Sequence, residues 1–290
     1  MSDGAQVTAG GAASSAGATR LAVRKTYKLF IGGKFPRSES GRTYQVQDSN
    51  VALASRKDAR DAVVAARAAV KGWSGATAYN RGQILYRVAE MLEGRREQFV
   101  ALGEPADEVD AAIDRWVWYA GWPDKLSQVY GGANPVAGPY FNLSAPEPTG
   151  VVGVVAPAQP SLLGLVSVVA PVIVSGNTAV VLASPVRPLA AVTLAEVLAT
   201  SDLPAGVVNI LTGAVAETAP WLASHLDVNA LDLTGVTDPE LAVELEQAAA
   251  GNLKRVLRPA DGPTDWRADP GTRRMTAFLE TKTVWHPKGS

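Results

Sequence analysis

The chain has 290 residues, 47% of them hydrophobic and 19% charged, with a net charge of −1, enough apolar material for one large folded unit or two smaller ones. So neutral a balance, with no basic run interleaved with aromatics, gives nothing to gather nucleic acid or an anionic membrane surface, and neither partner is expected. Cysteine is absent, which excludes disulfides, thiolate metal sites and a cysteine nucleophile; the two histidines, His225 and His286, stand in no metal-ligand spacing, so no metal site is expected.

Residues 1–22 are mostly small and polar, fit neither a signal peptide nor a transit peptide, and predict a disordered tail. A short strand-like entry follows, `YKLFIGGKFPRSESGRTYQVQDS`, with turns at `GG` and `SESG`. The first helical pattern starts near Arg56, where Ser55 and Asp58 have the spacing of a capping box, and ends near Gly72. The second, `RGQILYRVAEMLEGRREQFVALG`, carries Ile84, Leu85, Val88, Leu92, Phe99 and Leu102 on one stripe. The third contains Trp116, Trp118 and Trp122, a density that suits core or subunit interface, with interface preferred to a ligand site.

From Val151 the rhythm changes. Continuous apolar strands begin at Val151, Thr178, Val207 and Ala230, roughly 25 residues apart, the length of a compact βαβ crossover. Such strands alternating with helices predict an α/β fold, a Rossmann-like doubly wound parallel sheet covered on both faces. The most apolar stretch, residues 151–183, is punctuated by Pro157, Pro160, Pro171, Gly176 and Asn177 and so reads as a buried strand and helix, not a membrane span; a cytoplasmic location is expected. A last helix opens with `DPEL` and ends at Gly251, a Pro/Gly/Asp-rich connection follows, and `TAFLETKTVWHP` recovers strand character. With no local partner, that strand has to join a sheet elsewhere in the protein or on a neighbouring subunit.

The ordered motifs `EPTGVVGVVAP`, `SGNTAVVLASP`, `DLPAGVVNILTG` and `LASHLDVNALDLTG`, with `AVVAARAAVKGW` before them, resemble the nicotinamide-dinucleotide domain of the aldehyde dehydrogenase superfamily. The resemblance implies a dinucleotide-binding domain over 23–256 with an interface arm at about 130–150, a linker at 257–272 in place of the absent catalytic domain, and an oligomerisation strand at 273–290. The position matching the family's general-base glutamate is Pro259, and the nucleophilic cysteine has no counterpart, so no catalytic residue is expected. His225, at a helix end, reads as a capping or core histidine.

The cofactor positions implied by the resemblance are Pro157, Gln159, Gly213, Thr234 and Gly235. Gln159 replaces an oxyanion-holding asparagine and is one methylene longer; the ribose-holding lysine and glutamate fall on Leu182 and Pro185, or on Ala183 and Val186. A helix N-terminus beside Thr234 would still attract a phosphate, so NAD(P) binding is expected to be weak and no cofactor firm. The chain resembles the truncated, cysteine-less second unit of two-unit aldehyde dehydrogenases. The expected role is a non-catalytic subunit that supports or regulates aldehyde oxidation, assembling with a full-length catalytic aldehyde dehydrogenase or with itself. The alternatives are a stand-alone NAD(P)- or nucleotide-binding protein with a degenerate site, or a scaffold without an enzyme partner.

Overall fold

The computed structural model describes residues 24–288; the tail expected at 1–22 lies outside the described residues. The chain enters through β1 (Thr26–Tyr27), β2 (Thr43–Val46) and β3 (Ser49–Ala52), with β3 parallel to β1 and antiparallel to β2. Between β1 and β2, Phe30 exchanges both backbone hydrogen bonds with Ile210 (2.9 and 2.7 Å), which closes one edge of the main sheet.

Helix α1 (Arg56–Gly75) begins at the expected capping box: Ser55 Oγ accepts from the Asp58 amide, and Asp58 accepts from the Ser55 amide at 2.7 Å. It runs past Gly72 because Trp73 is buried and its indole N–H donates to the Ile173 carbonyl at 2.8 Å, a tertiary contact that local periodicity does not contain. The second pattern is not one helix but two, α2 (Ala78–Glu93) and α3 (Arg96–Ala101), because Gly94 and Arg95 turn back onto the Glu90 and Leu92 carbonyls. The third is likewise divided into α4 (Ala106–Ala120) and α5 (Leu126–Tyr130) around Pro123, which has no N–H to continue the ladder. Of the two roles expected for the tryptophans, the core is the one seen within the chain: Trp116 is fully buried, and Trp118 and Trp122, with ring centroids 5.4 Å apart, are half-buried against the same core.

After β4 (Gly132–Asn134) and β5 (Tyr140–Pro148) come β6 (Val151–Val155), α6 (Ser161–Val174), β7 (Thr178–Leu182), α7 (Pro188–Leu198), β8 (Val208–Leu211), α8 (Val215–Ser224), β9 (Ala230–Asp232), α9 (Pro239–Ala250), β10 (Arg255–Leu257), α10 (Arg273–Thr276) and β11 (Leu279–Pro287). The main sheet is parallel throughout, in the order β10-β9-β6-β7-β8. Alternation along its strands sorts the core into two faces. Val152, Val154, Ala179, Val181, Val208 and Ile210 pack with α2, α4, α6 and α7; Val151, Val155, Val180, Leu182 and Leu211 pack with α1 and α8. The strand order reverses between β6 and β9, which places a crevice at their carboxyl ends.

The third sheet is antiparallel, ordered β11-β5-β4, and β11 pairs with β5 along nine residues from Leu279↔Pro148 to Pro287↔Tyr140. The terminal strand therefore finds its partner within its own chain. Asn177 fastens the root of this arm to the body: it accepts from the Gly150 amide at 2.7 Å and donates to the Phe278 carbonyl at 2.8 Å.

Candidate functional site

Where β6 and β9 diverge, their C-terminal loops wall a crevice of about 690 Å³ lined by Pro157, Gln159, Thr234 and Gly235, with Arg258 and Trp266 from the segment after β10. Four of the five expected cofactor positions thus meet. The fifth, Gly213, follows β8 and packs against the β3–α1 connection instead; its φ is +132°, and a Cβ there would lie 2.9 Å from Leu53 Cδ1. Gly235 is equally a packing glycine. Its amide donates to the Val155 carbonyl at 2.9 Å, and any Cβ would run into the Ala156 carbonyl.

Thr234 in the crevice wall is held by Asp232, the last residue of β9 and fully buried. Its carboxylate accepts from the Thr234 amide at 3.0 Å, from the Thr234 hydroxyl, and from Arg274 Nη1 at 3.0 Å. Burial pushes the Asp232 carboxyl upward, and Arg274 opposes that shift. Arg274 also donates to Thr234 Oγ1 at 3.0 Å, so the threonine hydroxyl is engaged on both its donor and acceptor sides.

Both helix N-termini beside the crevice carry carboxylates of the chain itself. At α6, Glu108 accepts from the Leu162 and Leu163 amides at 2.9 and 3.2 Å, while Ser161 donates to Glu104 at 2.6 Å; burial is the main cause that raises the Glu104 carboxyl. At α9, Asp238 accepts from the Glu240 amide at 3.0 Å, with Pro239 and Glu240 in the first turn. Both termini thus already carry a carboxylate of the chain, which weakens their positive end towards an added anion. The two glutamates come from α3–α4 and α4, more than fifty residues before α6, so no local pattern announces them.

Residues 258–272 are held over the crevice mouth. The buried Arg115 of α4 donates from Nη2 to the carbonyls of Trp266 (2.6 Å) and Ala268 (3.1 Å), Arg267 pairs with Asp107 at 2.7 Å, and the Arg274 guanidinium lies 5.3 Å from the Trp266 ring centroid. His225 caps α8, its Nδ1 accepting from the Asp227 amide at 3.1 Å. No group of potential metal ligands occurs among the described residues, and no helix there is long and apolar enough to cross a membrane.

A profile of the aldehyde dehydrogenase family matches residues 7–262. The chain belongs to the aldehyde dehydrogenase family. It is 32% identical over 261 residues to cytosolic 10-formyltetrahydrofolate dehydrogenase of Mus musculus, covering 82% of this chain and 28% of that protein. It is 33% identical over 252 residues to retinal dehydrogenase 2 of Homo sapiens, covering 80% and 48%. Among solved structures, the NAD+ complex of a Bacillus cereus aldehyde dehydrogenase superposes with a TM-score of 0.74 at 26% identity over 80% of this chain and 50% of that one. An NAD-dependent aldehyde dehydrogenase of Sinorhizobium meliloti also gives 0.74 at 26%, over 80% and 49%. The chain spans about half the length of these solved relatives, and the shared half is the Rossmann-like NAD-binding fold of the family.

The residues of this family member do not fit a dinucleotide. The positions that the resemblance gives to the ribose clamp, Leu182 with Pro185 or Ala183 with Val186, carry no side-chain donor or acceptor, and Leu182 and Ala183 are buried. Thr234 is committed to Asp232 and Arg274, and the nearby helix termini are already capped. Gln159 faces a crevice bounded by Pro259 and Trp266 in a chain without cysteine.

Proposed function

We propose that this chain is a non-catalytic member of the aldehyde dehydrogenase family that assembles in the cytoplasm with a catalytic, NAD-dependent aldehyde dehydrogenase to support or regulate aldehyde oxidation. One contrast carries the reading: the reactive positions are absent or internally committed, while the arm keeps its full nine-residue pairing and exposes Tyr140, Phe141, Leu143 and Trp285. Oxidation of an aldehyde through a thiohemiacetal needs a thiolate, and the chain has no cysteine; thioester hydrolysis needs a base, and Pro259 stands at the matching position. The exposed aromatics are the surface type that marks a protein contact.

Co-expression with a full-length aldehyde dehydrogenase, followed by affinity capture and mass determination, tests the proposal. A complex of both chains supports it; a monomer or a self-assembled species with the catalytic chain left in the flow-through overturns it. The volume of the crevice favours one alternative, a nucleotide-binding protein acting alone. Calorimetry separates the two, since the self-capped helix termini predict no heat with NAD(P) at millimolar concentration.

A further inference from the structure

At the other end of the sheet, where β6 and β7 begin, lies a second cavity of about 560 Å³, within the range of metabolite sites. Its walls come from the C-terminal half of α1, the first turn of α2, α5 and the root of the arm. Two arginines line it. Arg81 donates from Nη1 to the Ser74 and Ala76 carbonyls at 3.3 and 2.6 Å, leaving its buried Nε without a hydrogen bond, and no carboxylate among the described residues pairs with it. Burial disfavours its charge. Arg67 donates from Nη2 to Asn229 Oδ1 at 2.6 Å and to the Asp227 carbonyl; its buried Nε lies 3.7 Å from Asp227 Oδ1 and also makes no hydrogen bond. The one carboxylate lining the cavity among the described residues, Glu147, is paired with Lys282 at 3.0 Å. Arg67 is thus shared with Asp227, whereas Arg81 brings to the cavity a positive charge that no carboxylate among the described residues pairs with.

We propose that this cavity binds a small organic phosphate. Two guanidiniums from different helices, one of them without a carboxylate partner, suit an anion with three acceptor oxygens better than one with two. The cavity exceeds a bare phosphate ion, and Leu126, Pro146 and Leu279 give the organic part an apolar wall. The site is at the opposite end of the strands from the crevice and is independent of the proposed role in assembly.

The test uses the full chain and glycerol 3-phosphate as probe, with glycerol, sodium chloride at matched ionic strength and malonate as controls, read by thermal unfolding and calorimetry. A saturable rise in Tm with glycerol 3-phosphate alone is expected. Ser127→Glu, an exposed change on the cavity wall that leaves both arginines intact, is expected to weaken binding at least tenfold; Arg81→Gln should abolish it and Arg81→Lys restore part. A response no greater than that to chloride overturns the proposal. So does an equal response to malonate, or binding that survives both Ser127→Glu and Arg81→Gln.

Discussion

Arg274 reaches from α10 to Asp232 at the end of β9 and pairs with it at 3.0 Å, the aspartate fully buried and the arginine side chain one-fifth exposed. The pair ties the segment that bridges β10 and β11 to the centre of the parallel sheet. Arg274→Ala strands a buried carboxylate, and a loss of about 3 kcal/mol at neutral pH is expected. In that variant the folded-state pKa of Asp232 is raised above its unfolded value, so stability is present at low pH and lost as pH rises. Urea unfolding is expected to show a larger deficit at pH 7.5 than at pH 5, and Asp232→Asn combined with Arg274→Ala should recover part of it.

Asn177 is the second tie. It is fully buried and links the Gly150 amide, the Ser175 hydroxyl and the Phe278 carbonyl. Asn177→Ala leaves the Gly150 amide unpaired and the Phe278 carbonyl with Thr149 as its only donor, for an expected cost of about 2 kcal/mol. Because Phe278 immediately precedes β11, limited proteolysis is expected to cut near the arm root faster in the variant than in the parent.

Gly235 tests the reading of the crevice. If its role is close packing, Gly235→Ala should destabilise the fold by about 2–3 kcal/mol through contact with the Ala156 carbonyl. A variant of unchanged stability would show that the position tolerates a side chain and that packing does not require glycine there.

Lys254 sets an alkaline pH dependence. It is buried, and burial lowers its pKa to about 8. Its unfolded value is higher, so the unfolded chain binds the extra proton between the two and stability should rise as pH climbs from about 8 towards 10. Tyr44 and Tyr119, both pushed up to about 12 by burial, reverse the trend above pH 10. Chemical denaturation across pH 7–11 should show that rise in the parent and a flat profile to pH 10 in Lys254→Met.

The arm makes the assembly proposal accessible to point variants. Phe141 and Leu143 sit opposite His286 and Val284 on one sheet face and are 48% and 41% exposed. Replacing both with arginine should abolish co-purification with a catalytic aldehyde dehydrogenase while changing stability by no more than about 0.5 kcal/mol. Retained co-purification would move the contact away from this face.

The sequence alone determined the parts of the protein that depend on composition or local periodicity. Absence of cysteine removes thiol chemistry whatever the fold; apolar runs of strand length at regular spacing require a parallel sheet covered on both sides; Ser55 and Asp58 start α1 because a capping box is complete within four residues. The tertiary structure decided everything that depends on residues distant in sequence. Only it brings Glu108 to the N-terminus of α6, Arg274 to Asp232 and Arg115 to the Trp266 carbonyl, and only it parts Gly213 from Gly235. It also gives β11 a partner inside the chain and extends α1 to Trp73 through a contact with α6. Hydrogen bonds and ion pairs of this kind leave no periodic mark on the chain, because each is a single meeting of two side chains or backbone groups fixed by the packing of whole elements.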